Sequence, residues 1–155
     1  PIAVGCTLRR LVAKIVVNRV SAEVATILAP HQLGVGIKLA TEAAAHASRT
    51  YINNLTAGQA VLKLNFNNAF NSLHRDIMLM VVKNYLPHLR NYVELCYAQP
   101  SELHFGNEII MSEEGAQQGD PLGSMLFCLA IQPIVVKLSS EFNVWYIDDG
   151  TIGGN

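Results

Sequence analysis

The sequence predicts an α+β fold in which helices cover one face of a mainly antiparallel sheet, and three observations lead there. The chain has 155 residues, half of them hydrophobic and 15% charged: enough apolar material for one domain with a core, too much for a disordered chain. Helical periodicity or helix-favouring composition marks the first half and the stretch after Asp120. Short apolar or β-branched runs lie between them, two beside turn dipeptides.

Taken in order, apolar residues at 8, 11, 12, 15 and 16 follow the helical period, and Thr7 is placed to cap the start. This face should pack inward, leaving Arg9, Arg10 and Lys14 reachable by solvent or phosphate. Pro30 closes the segment, and Gln32 to Gly36 reads as a loop with two permissive glycines. The alanine-rich stretch 38–51 is a second helix by propensity. The run 61–66 has the length and composition of a central strand. Ser72, with Asp76 in the first turn, opens a helix to about Tyr85, stopped by Pro87, and a short helix follows over 89–96. Gly106-Asn107 suits a tight hairpin turn between 103–105 and 108–111. Asp120-Pro121 is a helix start, a capping carboxylate followed by proline, for a helix to about Ser139 with a kink near Pro133. The run 142–147 is a strand, and Asp149-Gly150 is a hairpin signal leading into Thr151-Ile152.

The longest apolar runs fall far short of the ~18–20 residues that a membrane span needs. Three widely separated cysteines suggest packed thiols rather than a disulfide framework, and five scattered histidines show no metal-ligand spacing. The chain begins at Pro1 with no initiator Met or secretory signal, and is expected to be cut from something longer. Residues 1–63 hold seven basic groups against two acidic ones, a net +5; residues 64–155 hold four against ten, a net −6. That division suits either nucleic acid gripped by one half and a cation by the other, or two solvated faces.

Three stretches carry chemistry together: Asn65-Phe66-Asn67-Asn68-Ala69-Phe70, Gln117-Gln118-Gly119-Asp120-Pro121-Leu122-Gly123, and Tyr146-Ile147-Asp148-Asp149-Gly150. In that order and spacing they resemble motifs A (65–70), B (117–123) and C (146–150) of the reverse transcriptase palm, closest in style to non-LTR retrotransposons. Pro1-Ile2-Ala3-Val4 resembles part of the fingers. The resemblance implies a partial, mostly helical fingers segment over 1–60 and a partial palm over 61–155, with the thumb absent and a nuclease expected elsewhere in the polyprotein. It implies RNA-directed DNA synthesis from dNTPs, with RNA template and DNA primer as partners, no membrane, and an intracellular setting, cytoplasmic or nuclear.

Such chemistry joins a primer 3′-hydroxyl to an α-phosphate, and two Mg²⁺ ions (Mn²⁺ as a substitute) can activate the nucleophile and steady the leaving oxygens. Hard cations need oxygen ligands, so carboxylates must converge. By resemblance Asp148 and Asp149 are those carboxylates, with Asp148 the direct ligand. Taken alone, the pair reads first as an Asp-Gly turn with a solvated neighbour, and only the other two motifs make it a metal site. Gln118 would lie against the incoming nucleotide, while Gly119 and Gly123 would allow close approach of base and template. Phe70, preceded by Ala69, would be the ring that rejects a ribose 2′-hydroxyl; ignoring the motif, it is as well explained as a core phenylalanine. Arg9, Arg10 and Lys14 would meet nucleic acid.

One position departs from the pattern. Motif A begins with Asp in active members, and here that position is Asn65. A neutral amide cannot bridge two cations as a carboxylate does. The expectation is therefore a polymerase fragment impaired at one metal ligand. The alternatives are a non-catalytic nucleic-acid-binding or structural palm-like domain, favoured by Asn65, and an RNA-templated RNA polymerase, disfavoured by Phe70 and 118–123.

Overall fold

The computed structural model describes residues 6–155, so the fingers-like 1–4 segment lies outside the described residues. Helix α1 runs Thr7–Leu28, and its buried positions Ala13, Val20, Val24 and Leu28 repeat at 7, 4 and 4 residues, one helical face. That face differs from the expected one. Leu8, Leu11, Val12 and Ile15 are exposed, while Arg9 is turned inward, because the nearby partner is a polar loop and not an apolar surface. Thr7 makes no side-chain cap; Cys6 holds the N-cap position.

Helix α2 covers Ala40–Asn53, strand β1 Ala60–Asn65 and helix α3 Arg75–Tyr85. The α3 start is His74, not Ser72, although Asp76 Oδ1 accepts the Ile77 amide in the first turn. A 3₁₀ turn at Pro87–Leu89 leads into α4, Arg90–Tyr97. Strands β2 (Ser101–Phe105) and β3 (Glu108–Ser112) form the expected hairpin across Gly106-Asn107. Helix α5 spans Leu122–Val135; Asp120 Oδ1 accepts the Leu122 amide at 2.9 Å, and the helix ends two residues past Pro133 instead of reaching Ser139. Strands β4 (Phe142–Tyr146) and β5 (Asp149–Gly154) complete the chain.

The architecture is α+β with antiparallel strand pairs, as expected, divided into a three-stranded sheet in the order β1-β5-β4 and the separate β2-β3 hairpin. One core cluster joins α1, α3, α4 and α5; a second lies between α5 and the sheet, around Phe127, Ile131 and Trp145. The other sheet face carries α2 through Tyr51, which stacks on Phe142 with ring centroids 4.6 Å apart in the room left by Gly153, so helices cover both faces and not one as expected. Beyond β4, residues 31–33 add a parallel rung: the Trp145 amide donates to His31 O and the Leu33 amide to Trp145 O, each at 2.8 Å. No helix among the described residues is long and apolar enough to cross a membrane.

Candidate active site

Motif A begins where β1 ends. Asn65 is the cross-strand partner of Asp149, so residues 84 positions apart meet at one rung of the sheet. Partners on one rung share a face, which is the face of Lys63, and the Lys63 ammonium sits 3.4 Å from Asp149. Past Asn65 the chain turns tightly through residues 67–70, with Asn68 at φ 53°, and buries Ala69. Phe70 packs on Phe127, centroids 5.2 Å apart.

This turn is stitched to motif B by backbone. The Gly115 amide donates to Leu73 O and the Ala116 amide to Phe70 O. Gly115 has φ 69° and passes so close that a Cβ there would lie 2.6 Å from the Asn71 backbone, a position only glycine fits. Gly123 sits beside the same ring: a Cβ would meet Ala116 at 3.2 Å and Phe70 at 3.9 Å. Its missing side chain keeps space open next to Phe70.

Motif C forms the β4–β5 tip, with a turn placed differently from expectation. Tyr146 pairs with Asp149, so the two turn residues are Ile147 and Asp148, and Asp149-Gly150 already belong to β5. Gly150 is required for another reason: a Cβ there would lie 2.6 Å from the Trp145 ring. Ile147 takes φ 56°, as a tight hairpin demands at its first central residue. For a β-branched side chain such strain costs on the order of 1–3 kcal/mol.

These three segments enclose one cavity of about 520 Å³. Ala69 and Phe70 line it from motif A, Gln118, Gly119 and Gly123 from motif B, and Asp148 from motif C, with Phe66 beside them. Asn65 and Asp149 do not line it. Asp148 therefore turns into the cavity, whereas Asp149 turns toward Lys63.

Metal chemistry can be tested against this donor set. Among the described residues no group of three or more His, Cys, Asp or Glu side chains is arranged to hold an ion. Asp148 is the cavity's carboxylate nearest the sheet, Asp120 is committed to other partners, and Asn65, outside the lining, carries only a neutral amide. A carboxylate plus substrate phosphates suffices for one Mg²⁺ arriving with a triphosphate. The set does not fit a bridged two-ion centre.

Asp120 accepts from Tyr97 Oη at 2.6 Å and from Arg9 at 3.4 Å, with its side chain 3% exposed. Burial, then the Asp120 bond, pushes the Tyr97 hydroxyl well above the usual tyrosine range. Arg9 also donates to Cys96 O at 3.1 Å and lies over the Tyr97 ring, and Arg10 Nε donates to Gly119 O at 3.0 Å. Thus Arg9 is built into the fold and Arg10 braces motif B; Lys14 is exposed. Behind Asp148, burial and then the Asp148 charge push the Cys128 thiol up to about 12.

One contact at the edge of the site has no sign in the sequence. Gln32, 1% exposed, receives the Ile147 amide on Oε1 and donates Nε2 to Ile147 O, each at 2.8 Å. A glutamine in a glycine loop gives no local sign of a partner 115 residues away.

A family model described as "Reverse transcriptase (RNA-dependent DNA polymerase)" matches residues 1–155. No curated protein matches the chain. The match spans all three segments that build the cavity, and the chain belongs to the reverse transcriptase family.

Proposed function

We propose that the cavity receives the incoming deoxynucleoside triphosphate of RNA-templated, primer-dependent DNA synthesis, and that this chain is an impaired copy from a non-LTR-type retrotransposon. The supporting observation is convergence: residues 69, 70, 118, 119, 123 and 148, distant in sequence, share one cavity.

Phe70, backed by Phe127, presents a ring that cannot easily retreat, which suits exclusion of a 2′-hydroxyl. Gln118 and the backbone at Gly119, with φ 75°, offer polar groups to the nucleotide. Asp148 presents the carboxylate for a metal-bound triphosphate, and such a cation, when bound, neutralises phosphate charge. Asn65 removes the second bridging carboxylate, so the rate falls by about a thousandfold if ~4 kcal/mol of transition-state stabilisation is lost. RNA template and DNA primer are the partners, inside the cell in cytoplasm or nucleus, and thumb and nuclease belong to the rest of the polyprotein.

Primer extension on an RNA template tests this. The 155-residue chain should not incorporate dNTPs with Mg²⁺ or Mn²⁺; robust incorporation would sink the impairment. In a polypeptide extended through a thumb, Asn65→Asp should restore Mg²⁺-dependent synthesis, and Phe70→Ala should then admit ribonucleotides. Salt-dependent primer–template binding with no extension after repair would favour the second reading, a non-catalytic binding domain, which Asn65 and the Lys63–Asp149 pair also suit.

A further inference from the structure

We infer that Gln32 is a positioning residue that locks the Ile147–Asp148 turn and thereby directs Asp148 into the cavity; this rests on the proposed role of Asp148. Ile147 is held in the left-handed region at φ 56°, a conformation a β-branched residue does not keep unaided. The Gln32 side-chain amide matches the Ile147 peptide at both ends, accepting from its N–H and donating to its C=O at 2.8 Å. Oε1 also accepts the Gly34 amide at 3.0 Å, which fixes the orientation of the side-chain amide. Gln32 is buried and Ile147 half-buried, so a Gln32 side chain released from the Ile147 peptide would not regain water without moving the loop.

The surrounding backbone makes the lock rigid. Residues 31–33 bond to both sides of Trp145, two residues before the strained position. His31 Nδ1 lies 2.9 Å from Asn143 O, one rung further back. Gly34 completes the fit, because a Cβ there would fall 2.6 Å from the Ile147 side chain and 2.7 Å from its amide. The loop between α1 and α2 thus grips β4 and its tip, and the direction of Asp148 is set from outside the hairpin.

The test uses Gln32→Met, which keeps the volume and removes both bonds, on the whole chain. Hydrogen exchange at the Ile147 amide should accelerate on the order of tenfold or more. A stability-matched core variant, Val24→Ala, should leave it at the wild-type level once corrected for global unfolding. Affinity for Mg²⁺·dNTP, read with a fluorescent dNTP, should fall about as far in Gln32→Met as in Asp148→Asn. The double variant should be no weaker than Asp148→Asn alone, because Gln32 acts through that carboxylate. Unchanged Ile147 exchange in folded Gln32→Met, or additive losses of affinity, overturns the inference. If Asp148→Asn binds dNTP as well as wild type, the proposed role of Asp148 fails, and the exchange measurement alone decides whether Gln32 locks the turn.

Discussion

Gly150 shows how one missing side chain shapes the site. The Trp145 indole lies where its Cβ would be, within 2.6–2.7 Å of three ring carbons, and Trp145 Nε1 is anchored to Asn143 Oδ1 at 2.7 Å. Because the ring cannot shift freely, Gly150→Ala should cost about 1–3 kcal/mol by overpacking. Gly154→Ala, whose new methyl meets Glu141 no closer than 3.6 Å, should stay within about 0.5 kcal/mol in the same urea titration. The cysteines divide just as clearly. Cys6 is exposed, and hydrogen bonds from the Arg9 and Leu8 amides lower its thiol, whereas burial raises Cys96 and Cys128. A thiol reagent at neutral pH should therefore label Cys6 rapidly and the other two only after denaturation. Equal rates for all three would contradict this burial pattern.

Among the elements, α1 is the one whose helical period was legible and whose orientation was not. Periodicity identifies an apolar stripe, but which stripe is covered depends on what the rest of the chain brings beside it. Here the loop of residues 117–121 arrives with the Asp120 carboxylate and the Gly119 carbonyl, and Arg9 and Arg10 turn to meet them. Arg9→Met should cost roughly 2 kcal/mol, less than a fully buried pair because Arg9 is 24% exposed, by leaving Asp120 short of one donor. The β2–β3 hairpin, by contrast, was readable because Gly106-Asn107 is a local turn code. Asp149-Gly150 resembles the same code yet serves as a strand start, since the glycine answers to the indole ring and not to the turn. Motifs A, B and C were legible as strings; the lock from Gln32 was not, because its partner is encoded by no neighbour in sequence.

Across the whole molecule, the protonated side chains buried around α4 and α5 set an alkaline limit on stability. Burial pushes the Cys128 thiol and the half-buried Tyr92 hydroxyl each up to about 12, and raises Tyr97 and Cys96 as well. Each is an acid whose folded-state pKa lies above its unfolded value, near 9 for cysteine and 10 for tyrosine. Their contribution is complete below those unfolded values and is lost as pH rises toward the folded ones, because the unfolded chain sheds these protons first. Stability should therefore hold level with respect to these groups up to about pH 9, then fall by roughly 1.4 kcal/mol per pH unit for each fully engaged buried group. Urea midpoints between pH 7.5 and 11 measure this directly. Cys128→Ala should lower stability at neutral pH by removing a buried sulfur, yet make the decline above pH 9 shallower, which separates titration from packing. A flat profile to pH 11, or an unchanged slope in Cys128→Ala, would show that the thiol between α5 and Asp148 is not protected as its burial requires.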